Sequence, residues 1–229
     1  MKKLFSITLL LFAVSGYSQK NKVYYSLADA FKNPAKVYNL NLTHNQLKEL
    51  PETVAQFVNL TELNLSDNQF TTFPEVITKL TELQSLDLSK NQITKLPESI
   101  GKLINLEYLI LTKNKLLALP EGISKLTKLQ ELNVANNQLT VLTEGIGKCV
   151  LIQSLYLNNN KLTILPEGIL KLKTITTLTL NNNELVALPK NISRLRTLTT
   201  FTIENNPELK LPVEQEKFVK KIAKNAEAK

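Results

Sequence analysis

From Val37 onward the apolar residues recur in one fixed pattern. Leucine or a close relative fills the first, fourth and sixth places of a unit, and asparagine fills the ninth. Aligned on that residue, the chain gives Asn45, Asn68, Asn91, Asn114, Asn137, Asn160, Asn183 and Asn206, each 23 residues after the last. The units begin at Val37, Leu60, Leu83, Leu106, Leu129, Ile152, Ile175 and Leu198, and read L-x-x-L-x-L-x-x-N-x-L-x-x-L-P-E-x-I-x-K-L-x-x. Self-similarity at a fixed period marks a stacked array. Residues two apart share one face of a strand, so Leu63 with Leu65, or Leu155 with Leu157, point inward. One repeat cannot bury that face alone. Neighbours must stack, and eight strands at a spacing of about 4.8 Å make a parallel sheet roughly 34 Å long.

Each Asn ends a strand where the chain turns. Its amide carries two N–H donors and a carbonyl acceptor, enough to satisfy turn backbone groups from one repeat to the next. The second half of the unit predicts a short helix. Pro51, Pro74, Pro97, Pro120, Pro166 and Pro189 suit its first position, where a missing N–H costs little. Glu52, Glu75, Glu98, Glu121, Glu144 and Glu167 follow, near the positive end. Lys79, Lys102, Lys125, Lys148 and Lys171 come four residues after five of them, an order that favours i,i+4 pairing. An open stack needs covers. At the front, Ser26 reads as an N-cap, Leu27, Ala30 and Phe31 as one helical face, and Asn33-Pro34 as its end. At the back, Phe218, Val219, Ile222, Ala223 and Ala226 form a similar face, with Lys217, Lys220, Lys221 and Lys224 beside it. The last repeat reads NNPELKLP, with Glu208 where an inward Leu belongs and Leu209 one place later, which predicts a distorted final turn.

These units resemble the leucine-rich repeat family, in the compact 23-residue class with an L-P-E-x-I second half. Exported bacterial proteins and some intracellular eukaryotic ones use that class. The resemblance covers residues 37–212. It implies an α/β class, right-handed solenoid, with a parallel sheet on the concave face and short helices on the convex face. Ligands of this family usually sit on the concave side. The expected organisation is a signal peptide over residues 1–18, a capping helix over 19–36, eight repeats over 37–212 and a second capping helix over 213–229.

The signal peptide rests on Lys2 and Lys3, the apolar run Leu4–Val14, and the small-residue exit Ser15-Gly16-Tyr17-Ser18. The apolar run is shorter than the roughly 20 residues a membrane span needs. Export to a periplasm, cell surface or medium follows, without stable membrane insertion. Formal net charge is +8, but much of the excess Lys lies in the convex ladder beside Glu. Chemistry is scarce. His44 is the only histidine, and a single His makes neither a metal site nor a triad. The single Cys149 stands in the register of Leu80, Leu103, Leu126 and Leu172, a core position. The sequence matches no phosphate loop, zinc-protease helix or nucleophile elbow. No enzyme activity, cofactor or metal is expected.

The residues alternating with the inward leucines face the open side of the sheet. One column reads Asn39, Glu62, Ser85, Tyr108, Glu131, Ser154, Thr177, Thr200. The next reads Asn41, Asn64, Asp87, Ile110, Asn133, Tyr156, Thr179, Thr202. With the columns alongside, this face carries six acids, Glu62, Asp67, Asp87, Glu107, Glu131 and Glu204, against Lys90 and Lys113, a balance of 2 − 6 = −4. An acidic face argues against nucleic acid. Large side chains cluster mid-array, with Tyr108 and Ile110 on one rung, Tyr156 two rungs on, and Glu131 and Asn133 between. An aromatic anchor ringed by polar groups is how protein hot spots look; strand propensity alone also favours Tyr and Ile. The reading is a monomeric, non-catalytic module that binds a protein through Tyr108, Ile110, Glu131, Asn133, Tyr156, Glu62 and Asp87. The alternative is an adhesin for host glycan or matrix, using the polar Asn/Thr end.

Overall fold

Three-residue strands stack one per repeat because each presents a single inward leucine between two outward residues. In the computed structural model, which describes residues 22–227, they form one parallel sheet in chain order. After a first strand β1 (Val23–Tyr24), β2 to β9 are Asn39–Asn41, Glu62–Asn64, Ser85–Asp87, Tyr108–Ile110, Glu131–Asn133, Ser154–Tyr156, Thr177–Thr179 and Thr200–Thr202. Inward leucines pair with inward leucines, as in Leu86↔Leu109↔Leu132. Leu109, Leu111, Leu132 and Leu155 are fully buried, so the core is a continuous apolar column.

The sheet has nine strands rather than eight. Val23 pairs with Asn39 and Tyr24 with Leu40, so the front cover begins as a strand. A one-turn helix α1 (Leu27–Ala30) follows, with the Ser26 hydroxyl accepting the Asp29 N–H at 3.2 Å. Ala30 is fully buried, and the Phe31 ring packs on Phe57 at 4.8 Å between centroids. At the far end α2 (Val213–Glu227) lays Phe218 against Phe201 at 6.0 Å and buries Ile222. Ala223, expected on the buried face, is exposed. Gln215 takes that share of the face, buried with its amide donating to the Pro189 carbonyl at 3.1 Å, which turns the helix stripe towards 215, 218 and 222. Glu208 is exposed and Leu209 packs against the core, as the shifted final turn requires. The signal segment (1–18) and the Ala226 side chain lie outside the described residues.

The asparagines form the ladder their spacing predicts. Asn114 donates to the carbonyls of Leu88 (2.9 Å) and Leu111 (3.0 Å) and accepts the Ile93 N–H (2.9 Å). Each amide thus ties its own turn to the repeat before it. Asn45 has no earlier repeat to tie to and is exposed. The residue before each ladder Asn, from His44 and Asp67 to Asn205, lies in the left-handed region, with φ between 53° and 58°. Asn and Asp tolerate that conformation best. Lys90 and Lys113 occupy it without that advantage.

The back of each repeat is a 3-10 turn rather than an α-helix: Glu75–Lys79, Glu98–Lys102, Glu121–Lys125 and their equivalents. Where proline directly precedes the turn, at Pro51, Pro74, Pro97, Pro120 and Pro166, it is extended and lies just outside the turn, as Pro97 does with its carbonyl accepting from Ile100. With three residues per turn, positions four apart no longer face each other. The expected Glu–Lys pairs therefore do not close within repeats. The carboxylates reach to the next repeat instead: Glu98 accepts the Gly122 N–H at 2.6 Å and Glu144 the Gly168 N–H at 2.8 Å. Lys79 pairs backward with Glu52 at 2.6 Å. Thr143, which replaces proline, accepts the Gly145 N–H at 3.2 Å.

Candidate binding face

In four of the eight repeats the column between the two leucines has a structural use. The Asn41, Asn64, Asp87 and Asn133 side-chain oxygens accept the N–H two residues on, at 3.1, 2.9, 2.8 and 3.2 Å. This turn, closed by a side-chain acceptor, guides the strand into the left-handed corner. Ile110 and Tyr156 carry no acceptor there, and the Thr179 and Thr202 hydroxyls do not make this bond either. Asp87 and Asn133, expected as contact residues, thus first serve the corner, and Asn133 also accepts the Thr112 hydroxyl at 2.7 Å. Glu62 is exposed and accepts the Asn39 amide.

Sheet register brings the central residues together. Tyr108 stands beside Glu131 and Ile110 beside Asn133, which in turn stands beside Tyr156. Tyr108 is 41% exposed; Ile110 and Tyr156 are half-buried against their neighbours. Burial raises the Glu131 carboxyl above its ordinary value, and among the described residues no cation pairs with it. Glu131 is therefore a partly buried acid on the rung between those of Tyr108 and Tyr156, beside Tyr108 on one side and Ser154 on the other.

Sequence reasoning missed a second surface. Beyond the ladder corner, the flank carries Leu117, Val141, Ile164 and Val186, each roughly half exposed, at 56, 48, 53 and 47%. Repeats one to three put Lys48, Glu49, Thr71, Thr72, Thr94 and Lys95 there. The signal was the switch from polar to aliphatic at the third and fourth places after the ladder Asn. This strip occupies repeats four to seven, overlapping the rungs of Tyr108, Ile110 and Tyr156.

The other candidates resolve simply. Burial pushes the Cys149 thiol up to about 12, and its sulfur lies 3.2 Å from the Ile123 carbonyl oxygen, so it is an inert core group. His44 is exposed and contacts Asp67 at 2.9 Å. Among the described residues no three His, Cys, Asp or Glu side chains are placed to hold a metal, and no helix is long and apolar enough to cross a membrane.

The chain matches a leucine-rich repeat region over residues 36–144 and a leucine-rich repeat over 151–172. No curated protein sequence matches it. Among solved structures it is similar to a leucine-rich repeat protein of Leptospira interrogans, at 30% identity and a TM-score of 0.66, over 87% of this chain and 62% of that one. The functional domain of InlJ from Listeria monocytogenes shares the fold at 24% identity and a TM-score of 0.68, over 78% of this chain and 37% of that one. The plant peptide hormone receptor RGFR1, solved in complex with RGF2, is 25% identical with a TM-score of 0.67, over 83% of this chain and 38% of that one. This chain spans less than two thirds of the length of each. The repeat spacing, the asparagine ladder and these matches agree: the chain is a leucine-rich repeat protein.

Proposed function

We propose that this is a non-catalytic protein-binding module, exported to a periplasm, cell surface or medium, and that its partner docks on the open sheet face of repeats four to six. The observation that carries the reading is the pair Ile110 and Tyr156. At these two rungs the chain gives up the side-chain acceptor that Asn41, Asn64, Asp87 and Asn133 supply to their own corners. It places half-buried apolar and aromatic side chains there instead, beside the exposed Tyr108. Tyr108 adds a second ring, and Glu131 between the rungs offers an anion to a basic group. The partner is therefore a protein segment with an apolar residue next to Lys or Arg. The structural relative RGFR1 is a plant peptide hormone receptor solved in complex with RGF2, which supports the class of function. A preformed sheet loses little ordering entropy on binding.

The test is affinity capture from extract of the source cell, with the bound proteins identified and their affinity for the purified chain measured. Tyr108→Ala/Tyr156→Ala is expected to lose at least tenfold in affinity. Equal capture by that variant would remove the central patch from the account. Binding to glycan or matrix that ignores the same change would favour an adhesin using the Asn/Thr end.

A further inference from the structure

Both covers leave a cleft against the array, and the two clefts differ in charge. At the front, a cleft of 410 Å³ is lined by Lys22, Tyr24, Asp29, Lys32, Asn33 and Lys36. It carries its own counter-charge: Asp29 holds Lys32 at 2.7 Å, and Lys22 lies over the Tyr24 ring at 4.3 Å. At the back, a cleft of 480 Å³ lies between α2 and the last 3-10 turn, lined by Ser193, Leu195, Arg196, Leu198, Phe218, Lys221 and Ile222. No carboxylate is in that lining. Neither Arg196 nor Lys221 forms an ion pair among the described residues. The two acids in the first turn of α2 are taken: Glu214 pairs with Lys217 at 3.5 Å and Glu216 with Lys220 at 3.5 Å. Two like charges thus line one cleft with no carboxylate beside them among the described residues.

The rest of the lining is just as particular. Leu195, Leu198 and Ile222 are buried and form an apolar floor with the half-buried Phe218, while Ser193, Arg196 and Lys221 are exposed at the rim. An Arg fork, an ammonium and a hydroxyl suit a phosphate or carboxylate. The floor suits an alkyl or aryl stem. We infer that the cleft between α2 and the last repeat binds an amphipathic anion, with its charged head at Arg196 and Lys221 and its apolar stem on Phe218 and Ile222. It is separate from the sheet face and independent of the proposed protein partner. The head could belong to a lipid in an anionic bilayer or to a free amphiphile.

The test titrates the full chain with inorganic phosphate and with dodecyl phosphate below its micelle concentration, following the Ile222 methyl and Phe218 ring resonances. Dodecyl phosphate is expected to saturate, at least tenfold tighter than phosphate. Arg196→Gln and Lys221→Gln should each weaken it at least fivefold with the unfolding midpoint unchanged. Lys217→Gln, whose lysine is paired and outside the cleft, should bind like the parent. Equal affinity for the two probes, no saturation, or indifference to both cleft variants would overturn the inference. Phosphatidylcholine vesicles containing phosphatidylglycerol then separate the sources. Capture by these vesicles that the cleft variants lose assigns a lipid head; dodecyl phosphate binding without vesicle capture assigns a free amphiphile.

Discussion

Repeats one to three and repeats four to seven are alike inside and different outside. Leu63 and Leu65 in the first group and Leu109 and Leu111 in the second are equally buried, and the asparagine ladder runs through both. Outside, the first group presents Asn41, Asn64 and Asp87, which serve their own corners, and a flank of Lys, Glu and Thr. The second presents Tyr108, Ile110 and Tyr156 on the sheet and Leu117, Val141, Ile164 and Val186 on the flank. Drift would scatter such changes around the array. Here the large apolar and aromatic residues gather on neighbouring repeats, on the sheet and on the flank alike. The inside is fixed by packing and the outside is free for recognition.

The largest test of that division is on the ladder. Asn114→Ala leaves the buried Ile93 N–H without its acceptor and removes one of the two amide donors from each of the Leu88 and Leu111 carbonyls, which keep Asn91 and Asn137. One unsatisfied buried donor costs about 1–3 kcal/mol and each lost hydrogen bond about 0.5–1.5 kcal/mol, so a loss of roughly 2 kcal/mol or more is expected in urea unfolding. Asn45→Ala, at the exposed first copy, should cost under about 1 kcal/mol. Equal losses would mean the ladder is not what joins the repeats.

The next effect lies on the back of the array. A Cβ on Gly122 would sit 2.3 Å from the Glu98 carbonyl oxygen, a backbone atom that cannot step aside. At Gly145 the nearest atom is the end of the Glu121 side chain, which can. Gly122→Ala should lower stability by about 1–3 kcal/mol and Gly145→Ala by less, compared by thermal unfolding. Smaller, and of opposite sign, is the corner before each ladder residue. Lys113→Asn puts a residue suited to φ of 58° in a place where lysine is strained, and should raise stability by about 0.5–1 kcal/mol.

The smallest effect separates Glu131 from its neighbours by pH. Burial raises its folded pKa above the unfolded value, so the folded state favours the protonated acid. The stabilisation this brings is complete below the unfolded pKa and is lost as pH rises through the folded one. Glu131→Gln should therefore flatten the stability profile in the acid range just above ordinary carboxylate values and leave the chain slightly more stable at neutral pH. An unchanged profile would mean the acid is solvated and not poised between the two rungs.

The inside was legible in the sequence because one period decides it. The 23-residue spacing gave the parallel sheet, the inward leucines, the buried ladder and the core place of Cys149. The backs of the repeats were not, since Glu and Lys four apart pair only on an α-helix and these turns are 3-10. Strand β1 is two residues long and carries no periodic signal. On the sheet face the aromatic cluster was legible, but the double duty of Asp87 and Asn133 was not, because an acceptor for the chain's own corner and an acceptor for a ligand have the same side chain. The left-handed corner had left a trace in Asp67, Asn136, Asn159, Asn182 and Asn205.

The most direct test of the division between scaffold and recognition is urea unfolding of Ile110→Asn/Tyr156→Asn. The account predicts an unfolding free energy equal to the parent's or higher by about 1 kcal/mol, because each Asn restores the acceptor its corner lacks. A loss of about 2 kcal/mol or more would show that Ile110 and Tyr156 hold the sheet together and are not surface kept for a partner.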